Sequence, residues 1–426
     1  MNAERTALFS NAPVRKAVLT LAIPTVISQL ITVVYNMADT FFIGKLNDPL
    51  QVAAATVVMP CFMLLTGFAN LFGLDGSSLI SRCLGTDDQE KARHCASFCI
   101  WTGAAVALLY GIAVILLEPV LFPLLGASEG TWESCRQYAF WTIGVGAVPT
   151  VMNAELAHLI RAEGYSRPAG FGVAFGGVLN IILDPIFIFA LRLNIAGAAI
   201  ATMLSNLIAM GYFLGFLYHI RKNTVITPDP KAFSIRQHIP GEVLSVGLPG
   251  FVMTMMSTIS NGVLNHTVAG YSDTAIAGMG IAKKIDLLAY AIAQGMTQGT
   301  LPLIGYNYTS GSLKRMKAAI KTAFAYSFLV ACAGTVLLWT LAAPISRCFI
   351  ADAETVRYGQ HFLKIICFAC PTTAINFMVI TVFQAIGKRV QPLCLSLLRK
   401  GSLDVVFMLL LNHAVGVSGI AWATPF

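Results

Sequence analysis

The chain has 426 residues, 56% of them hydrophobic and only 11% charged, with a mean hydropathy of +0.73 and a formal net charge of +8. Soluble domains carry about a quarter charged residues, so this composition excludes a soluble globular protein and indicates a polytopic membrane protein. The positive balance reads as loops held at an anionic membrane face, and no nucleic-acid partner is expected.

A membrane-crossing helix needs about 20 mostly apolar residues. In chain order such segments run Ala17 to Gly44, Val52 to Phe72, Ala96 to Leu117, Tyr138 to Ile160, Pro168 to Leu191 and Ile195 to Tyr218. A second set runs Val243 to Ala269, Ala275 to Ile304, Ala318 to Ala342, Phe362 to Ile386 and Leu393 to His413, and the start of a twelfth runs Val415 to Phe426. That last piece is too short to span and is expected to be a truncated twelfth helix. No small-residue cleavage site follows a short apolar core near the N-terminus, so the first span is expected to be retained.

Charge placement predicts the orientation. With the N-terminus in the cytoplasm, Arg5, Arg15, Lys16, Arg82, Lys91, Arg93, Arg161, Arg167, Arg221, Lys222 and most other basic residues fall inside. Only Lys45, Arg136, Arg192, Arg347, Arg357 and Lys364 fall outside. The positive-inside rule thus predicts a multi-pass protein of the cytoplasmic membrane with a cytoplasmic N-terminus.

An internal repeat decides the architecture. Leu21-Ala-Ile-Pro24 aligns with Val246-Gly-Leu-Pro249 at an offset of 225, and Asn36 falls on Asn261. Leu79-Ile80 falls on Leu303-Ile304, Arg161-Ala-Glu-Gly164 on Gln384-Ala-Ile-Gly387, and Gly197 to Thr202 on Gly419 to Thr424 at an offset of 222. One slowly drifting offset implies two six-helix bundles related as parallel repeats in an all-α fold. Residues 1–218 would form the first lobe, the polar, proline-bearing stretch 219–240 a cytoplasmic linker, and 241–426 the second lobe. Parallel repeats of this kind place a cavity at their interface and rock one half against the other.

Polar residues within the spans carry the function. Asp39 lies near the far end of the first span, and Asp184 lies in the fifth with Asn180 one helical turn before it. Intramembrane acids are costly and mark proton or ion relays by default. Plainer roles are a helix-end residue at the lip for Asp39, and for Asp184 a brace at the break before Pro185. Asp404, the repeat counterpart of Asp184, and Lys283, Lys284 and Asp286 in the eighth span admit cavity, pairing or packing roles. Asp75, Glu155 and Glu163 lie near inner ends, where bonds to Arg82 or Arg161 are expected. Met37, Met59, Met63, Met253, Met255, Met256, Met279 and Met296 suit either an adaptable cavity or helix packing. Asn36, Asn261, Lys283, Lys284, Asp404 and Met256 are the candidates for a substrate cavity. Cys367-Phe-Ala-Cys370 and the His94, Cys95, Cys99 face lack a completing ligand pair for a zinc set, so they read as packing and no metal or cofactor is expected. Thr86-Asp87-Asp88-Gln89 reads as a capping box opening a short helix between spans. No serine elbow or zinc-binding helix motif is present, so no enzymatic activity is expected.

These residues bring in a family. Pro24, Tyr35-Asn-Met-Ala-Asp39 with Phe42-Ile-Gly44, Leu79-Ile-Ser-Arg82-Cys-Leu-Gly85, Arg161-Ala-Glu-Gly164 and Leu303-Ile-Gly-Tyr-Asn307 resemble the multidrug and toxic compound extrusion (MATE) family over essentially the whole chain. The resemblance implies a monomeric secondary antiporter of two lobes that exports organic, often cationic, compounds against an inward proton or sodium gradient. It also bears on branch. In NorM-like members the ion-binding acids sit in spans seven and ten, where this chain offers Asn261, Asn265 and Asn376 but no acid. In DinF-like members they sit in spans one and five, which Asp39, Asn180 and Asp184 match, together with Thr202 in span six. At 1.5 Å per residue, Asp39 lies roughly 8 Å below the outer end, Asp184 and Thr202 about 10 Å and Asn180 about 16 Å. Two carboxylates so close in low dielectric cannot easily both ionise, so a shared proton is expected; the same oxygens could hold sodium. A lipid-linked sugar flippase of the same superfamily is the alternative function, which a positively charged cavity would favour.

Overall fold

The computed structural model describes residues 3–46, 48–236, 238–269, 271–349, 352–388, 390–398 and 403–425. All regular structure among them is helical. A short α1 (Ala3–Ser10) precedes α2 (Val14–Gly44), α3 (Pro49–Gly85) and α4 (Gln89–Leu124). Helix α5 (Trp132–Ala139) continues through a π-helical stretch (Phe140–Val145) into α6 (Ala147–Ala162). Helix α7 (Ser166–Pro185) ends in a second π-helical stretch (Ile186–Ala190), and α8 (Asn194–Ile220) follows. The second half comprises α9 (Ile239–Ala269), α10 (Asp273–Thr309), α11 (Leu313–Thr340), α12 (Ala342–Phe349), α13 (Ala353–Ile366), α14 (Ala369–Ala385), α15 (Val390–Ser396), α16 (Asp404–Val415) and α17 (Val417–Trp422).

Among the described residues, seven helices are long and apolar enough to cross a membrane, or nine when each of two bent pairs counts as one. The sequence segments outnumber them for two reasons. Helix α10 is long enough, but Lys283, Lys284, Asp286, Gln294 and Gln298 dilute its apolar character. The segment from Leu393 to His413 includes residues 399–402, outside the described set, and reads as the two short helices α15 and α16. Leu109, Leu116, Val120 and Leu124 on α4, like Leu329, Val336 and Leu337 on α11, expose apolar side chains, the surface that lipid requires.

Helix starts follow from local chemistry. Asp48 caps α3 by accepting from the Leu50 amide at 3.0 Å, with Pro49 in the first turn where its missing N–H costs nothing. Asp88 caps α4 by accepting from the Lys91 amide at 3.0 Å. This corrects the reading of the Thr86 to Gln89 run: Thr86 closes α3, Asp88 rather than Thr86 is the cap, and the helix that opens is the third span itself. The hydrophobic pattern had placed the start of that span at Ala96 because Glu90, Lys91, Arg93 and His94 mask the first two turns.

The repeat is visible in backbone detail. A bend of 48° separates the α5 side of its span from α6, and a bend of 43° separates α13 from α14. They fall at corresponding points of the two halves. Gly164 after α6 (φ 85°) and Gly387 after α14 (φ 75°) occupy matched left-handed positions that glycine takes without steric cost. Across the halves, α2 packs on α10 and α3 on α9, two pairings that a twofold relation between the repeats exchanges.

The hydrogen bonds between the halves gather at the end carrying α1. Ser78 Oγ donates to the Gln384 carbonyl at 2.6 Å, Thr309 Oγ1 to the Arg82 carbonyl at 2.8 Å, and Arg315 Nε to the Phe9 carbonyl at 2.6 Å. Gln29 Nε2 donates to Gln298 Oε1 at 2.7 Å. The backbones approach closely where a Cβ on Gly295 would lie 2.6 Å from Val26 Cα. The connection between halves is itself docked: Trp101 Nε1 donates to the Pro228 carbonyl at 3.1 Å and Ser97 Oγ to the Asp229 carbonyl at 3.0 Å, while Phe233 packs on Phe98.

Candidate functional site

Three of the candidate residues converge inside the first half. Asn180 on α7 donates through Nδ2 to Asp184 Oδ1 at 3.3 Å and to Thr202 Oγ1 on α8 at 3.2 Å. All three are buried. Asp39 on α2 is partly buried, and α2 packs on α7, which carries Asp184. Asp39 Oδ1, Asp184 Oδ2 and Asn180 Oδ1 are buried oxygens with no hydrogen-bond partner among the described residues.

Local sequence explains the convergence. Asn180 and Asp184 are spaced i, i+4, so they share a face of α7. Helix α7 can lie against α2 because residue 177 has no side chain: a Cβ there would stand 2.9 Å from Tyr35 Cδ1. Pro185 then withdraws a backbone donor, and the chain runs on as the π-helical stretch Ile186–Ala190. Such stretches frequently accompany functional sites.

A buried carboxylate oxygen without a donor costs several kcal/mol unless a proton or cation meets it. The open valences here belong to oxygen alone, which suits a proton or a hard cation such as sodium. No group of three or more His, Cys, Asp or Glu side chains suited to a metal ion occurs among the described residues.

The pattern of the MatE family matches the chain twice, over residues 24–186 and 249–410. The chain belongs to the MATE family. It is 30% identical over 423 residues to the multidrug export protein MepA of Staphylococcus saprophyticus, covering 99% of this chain and 93% of that protein. MepA of Staphylococcus aureus is 28% identical over the same length. Among solved structures, a MATE protein in complex with MaL6 superposes with a TM-score of 0.91 at 25% identity, covering 100% of this chain and 95% of that one. An outward-facing conformation of a multidrug resistance MATE family transporter superposes equally well, with a TM-score of 0.91 at 25% identity, covering 100% of this chain and 94% of that one. The chain is thus a multi-pass membrane transporter of the MATE fold.

The second half of this MATE chain carries a related but different constellation. Ser260 Oγ on α9 donates to Asp404 Oδ2 at 2.6 Å, and Lys283 Nζ on α10 donates to Thr424 Oγ1 at 2.9 Å. Ser260 is the repeat counterpart of Tyr35 and Thr424 of Thr202, while Asp404 echoes Asp184 through the pairs Leu403-Asp404 and Leu183-Asp184. Lys284 is exposed, as are Asn36 and Asn261. Met256 is partly buried, and a small second-half cavity of about 60 Å³ is lined instead by Met253 with Tyr290, Phe377 and Gln384.

Two expectations need correction. Asp75 and Glu155 do not bond to the loops: Asp75 Oδ1 and both Glu155 carboxylate oxygens are buried without hydrogen-bond partners among the described residues. Both acids sit on faces turned toward neighbouring helices, Asp75 toward Gly247 and Glu155 toward Gly103. Glu163 alone meets the connection, accepting from the Val225 amide at 2.7 Å and from Thr224 Oγ1 at 2.5 Å.

Sequence reasoning did not place Tyr35, which lines the same space as Asn180, among the site residues. Tyr35 stands one helical turn before Asp39, a spacing that could have flagged it. It also missed a polar cavity of about 220 Å³ running from Asn180 down the first half to His158 and Arg161 and closed by Gln294 and Gln298 of α10.

Proposed function

We propose that this MATE protein exports organic, often cationic compounds across the cytoplasmic membrane, driven by inward flow of protons or sodium through the Asp39, Asn180, Asp184 and Thr202 site. The observation that carries the reading is the set of unpartnered buried oxygens on Asp39, Asn180 and Asp184 in the first half. A group that is costly unless neutralised gives the first half two states of different energy, and the gradient biases their populations. Residues 1–218 and 241–426 act as the moving lobes. The seam at the end carrying α1 is the cytoplasmic gate in its closed state, and the cleft opens outward. This reading places the chain in the DinF-like branch, with export as the activity its MepA relatives' name suggests.

The runner-up reading, a lipid-linked sugar flippase, would be favoured by a positively charged cavity; the names of the MepA relatives favour drug export instead.

The purified protein in proteoliposomes, given a proton or a sodium gradient one at a time, tests the proposal. Accumulation of ethidium under one gradient and not the other identifies the ion. Ethidium movement that is indifferent to both gradients, or that persists undiminished in Asp39→Asn, would falsify it.

A further inference from the structure

The lower end of the first-half cavity contains a buried arginine with no carboxylate. Arg161 is 3% exposed and lines the cavity with His158, which is 6% exposed. Its Nη1 lies 3.3 Å from His158 Nδ1, and its Nε is buried with no hydrogen-bond partner among the described residues. No ion pair involves it among those residues. The acids nearest in sequence do not meet it: Glu155 faces Gly103 of α4, and Glu163 is held by Thr224 and Val225. Among the described residues, no Asp or Glu lines the cavity.

A guanidinium removed from water without a counter-charge is costly, and its planar array of donors suits carboxylates in particular. The cavity wall above it adds neutral amides and hydroxyls. Asn153 Nδ2 donates to Asn206 Oδ1 at 2.8 Å, and Asn206 Nδ2 donates to Thr150 Oγ1 at 3.2 Å. At about 220 Å³ the space exceeds what one or two ordered waters require.

We propose that Arg161, with His158 beside it, forms an anion-binding subsite that receives the carboxylate of a bound small organic molecule. The assignment rests on the export reading only in making that molecule a substrate: it extends the substrates from cations to compounds that carry a carboxylate. An inorganic anion such as chloride offers the same charge, and the two sources are separable.

The test is direct binding to the full chain in nanodiscs without any gradient, so that a failure of coupled export leaves it readable. Benzoate and its neutral isostere benzamide are the probes, with chloride as competitor at fixed ionic strength. Saturable benzoate binding at least about tenfold tighter than benzamide, a difference of about 1.4 kcal/mol, is expected. Arg161→Gln should abolish the preference and Arg161→Lys retain part of it. Should Arg161→Gln fail to fold, Ala157→Asp places a carboxylate one turn away on the same face and should remove the preference while keeping the arginine. Equal binding of benzoate and benzamide, or a preference that survives Arg161→Gln, overturns the subsite and leaves a hydrated arginine. Chloride binding without benzoate binding overturns the carboxylate assignment.

Discussion

At the scale of single residues, the four polar groups of the first half have unequal tasks. On the proposed mechanism Asp39 and Asp184 carry the exchangeable charge, whereas Asn180 donates to both Asp184 and Thr202 through one amide nitrogen. Asp39→Asn and Asp184→Asn should therefore reduce gradient-driven export to background while the protein still inserts and folds, as judged by membrane abundance and size-exclusion profile. Thr202→Val removes one neutral hydrogen bond, worth about 1 kcal/mol, and should weaken export only partially. In the second half, Asp404 accepts from Ser260; Asp404→Asn should alter substrate range yet leave gradient-induced fluorescence changes of the first half in place. The acids and Asn180 were legible in the sequence because a carboxylate in an apolar run stands out and i, i+4 spacing fixes a shared face, with Thr202 added by the family likeness. Arg161 was not. It was expected as a loop partner for Asp75, Glu155 or Glu163, and depth alone says nothing of rotation about a helix axis, which is what turns it into the cavity and Glu155 away from it.

At the scale of helices, packing depends on where side chains are absent and starts depend on caps. Replacing Gly177 by leucine would force α7 off Tyr35 and displace Asn180 and Asp184 together; the expected outcome is lower thermal stability and lost coupling from one change. Helix α13 starts at Asp352, whose carboxylate accepts from the Thr355 amide at 2.8 Å and from its hydroxyl at 2.7 Å. These bonds, the amide's foremost, hold its pKa below the ordinary carboxylate value. The sign follows from linkage: the cap's stabilisation is fully present above the unfolded-state value and is lost as pH falls through the lower folded value. Asp352→Asn should keep a cap and flatten that acid limb of the melting profile, whereas Asp352→Ala should lower the melting temperature at neutral pH. Most of the spans were legible from hydrophobic length, but their ends were not: α3 runs on past Phe72 to Gly85 because Asp75, Ser77, Ser78 and Ser81 are buried at the seam rather than exposed in a loop. The repeat made matched positions legible, such as Gly164 and Gly387, but bends depend on packing that one sequence does not display.

At the scale of the whole molecule, the seam between the halves should behave as a gate. Cysteines replacing Ser78 and Gln384, joined by a reducible bifunctional reagent, should stop export, and reduction should restore it; export that continues with the halves joined would show that this seam stays shut throughout the cycle. The chain between the halves adds a constraint of another kind. Its residues 228–233 are fastened along α4 by Trp101, Ser97 and Phe98, so the slack available begins only at Ser234 and ends at Ile239, where α9 starts. Five intervening residues can stretch no further than about 17 Å. The tether should therefore act as a leash of fixed length, capping how far the two ends it joins can part.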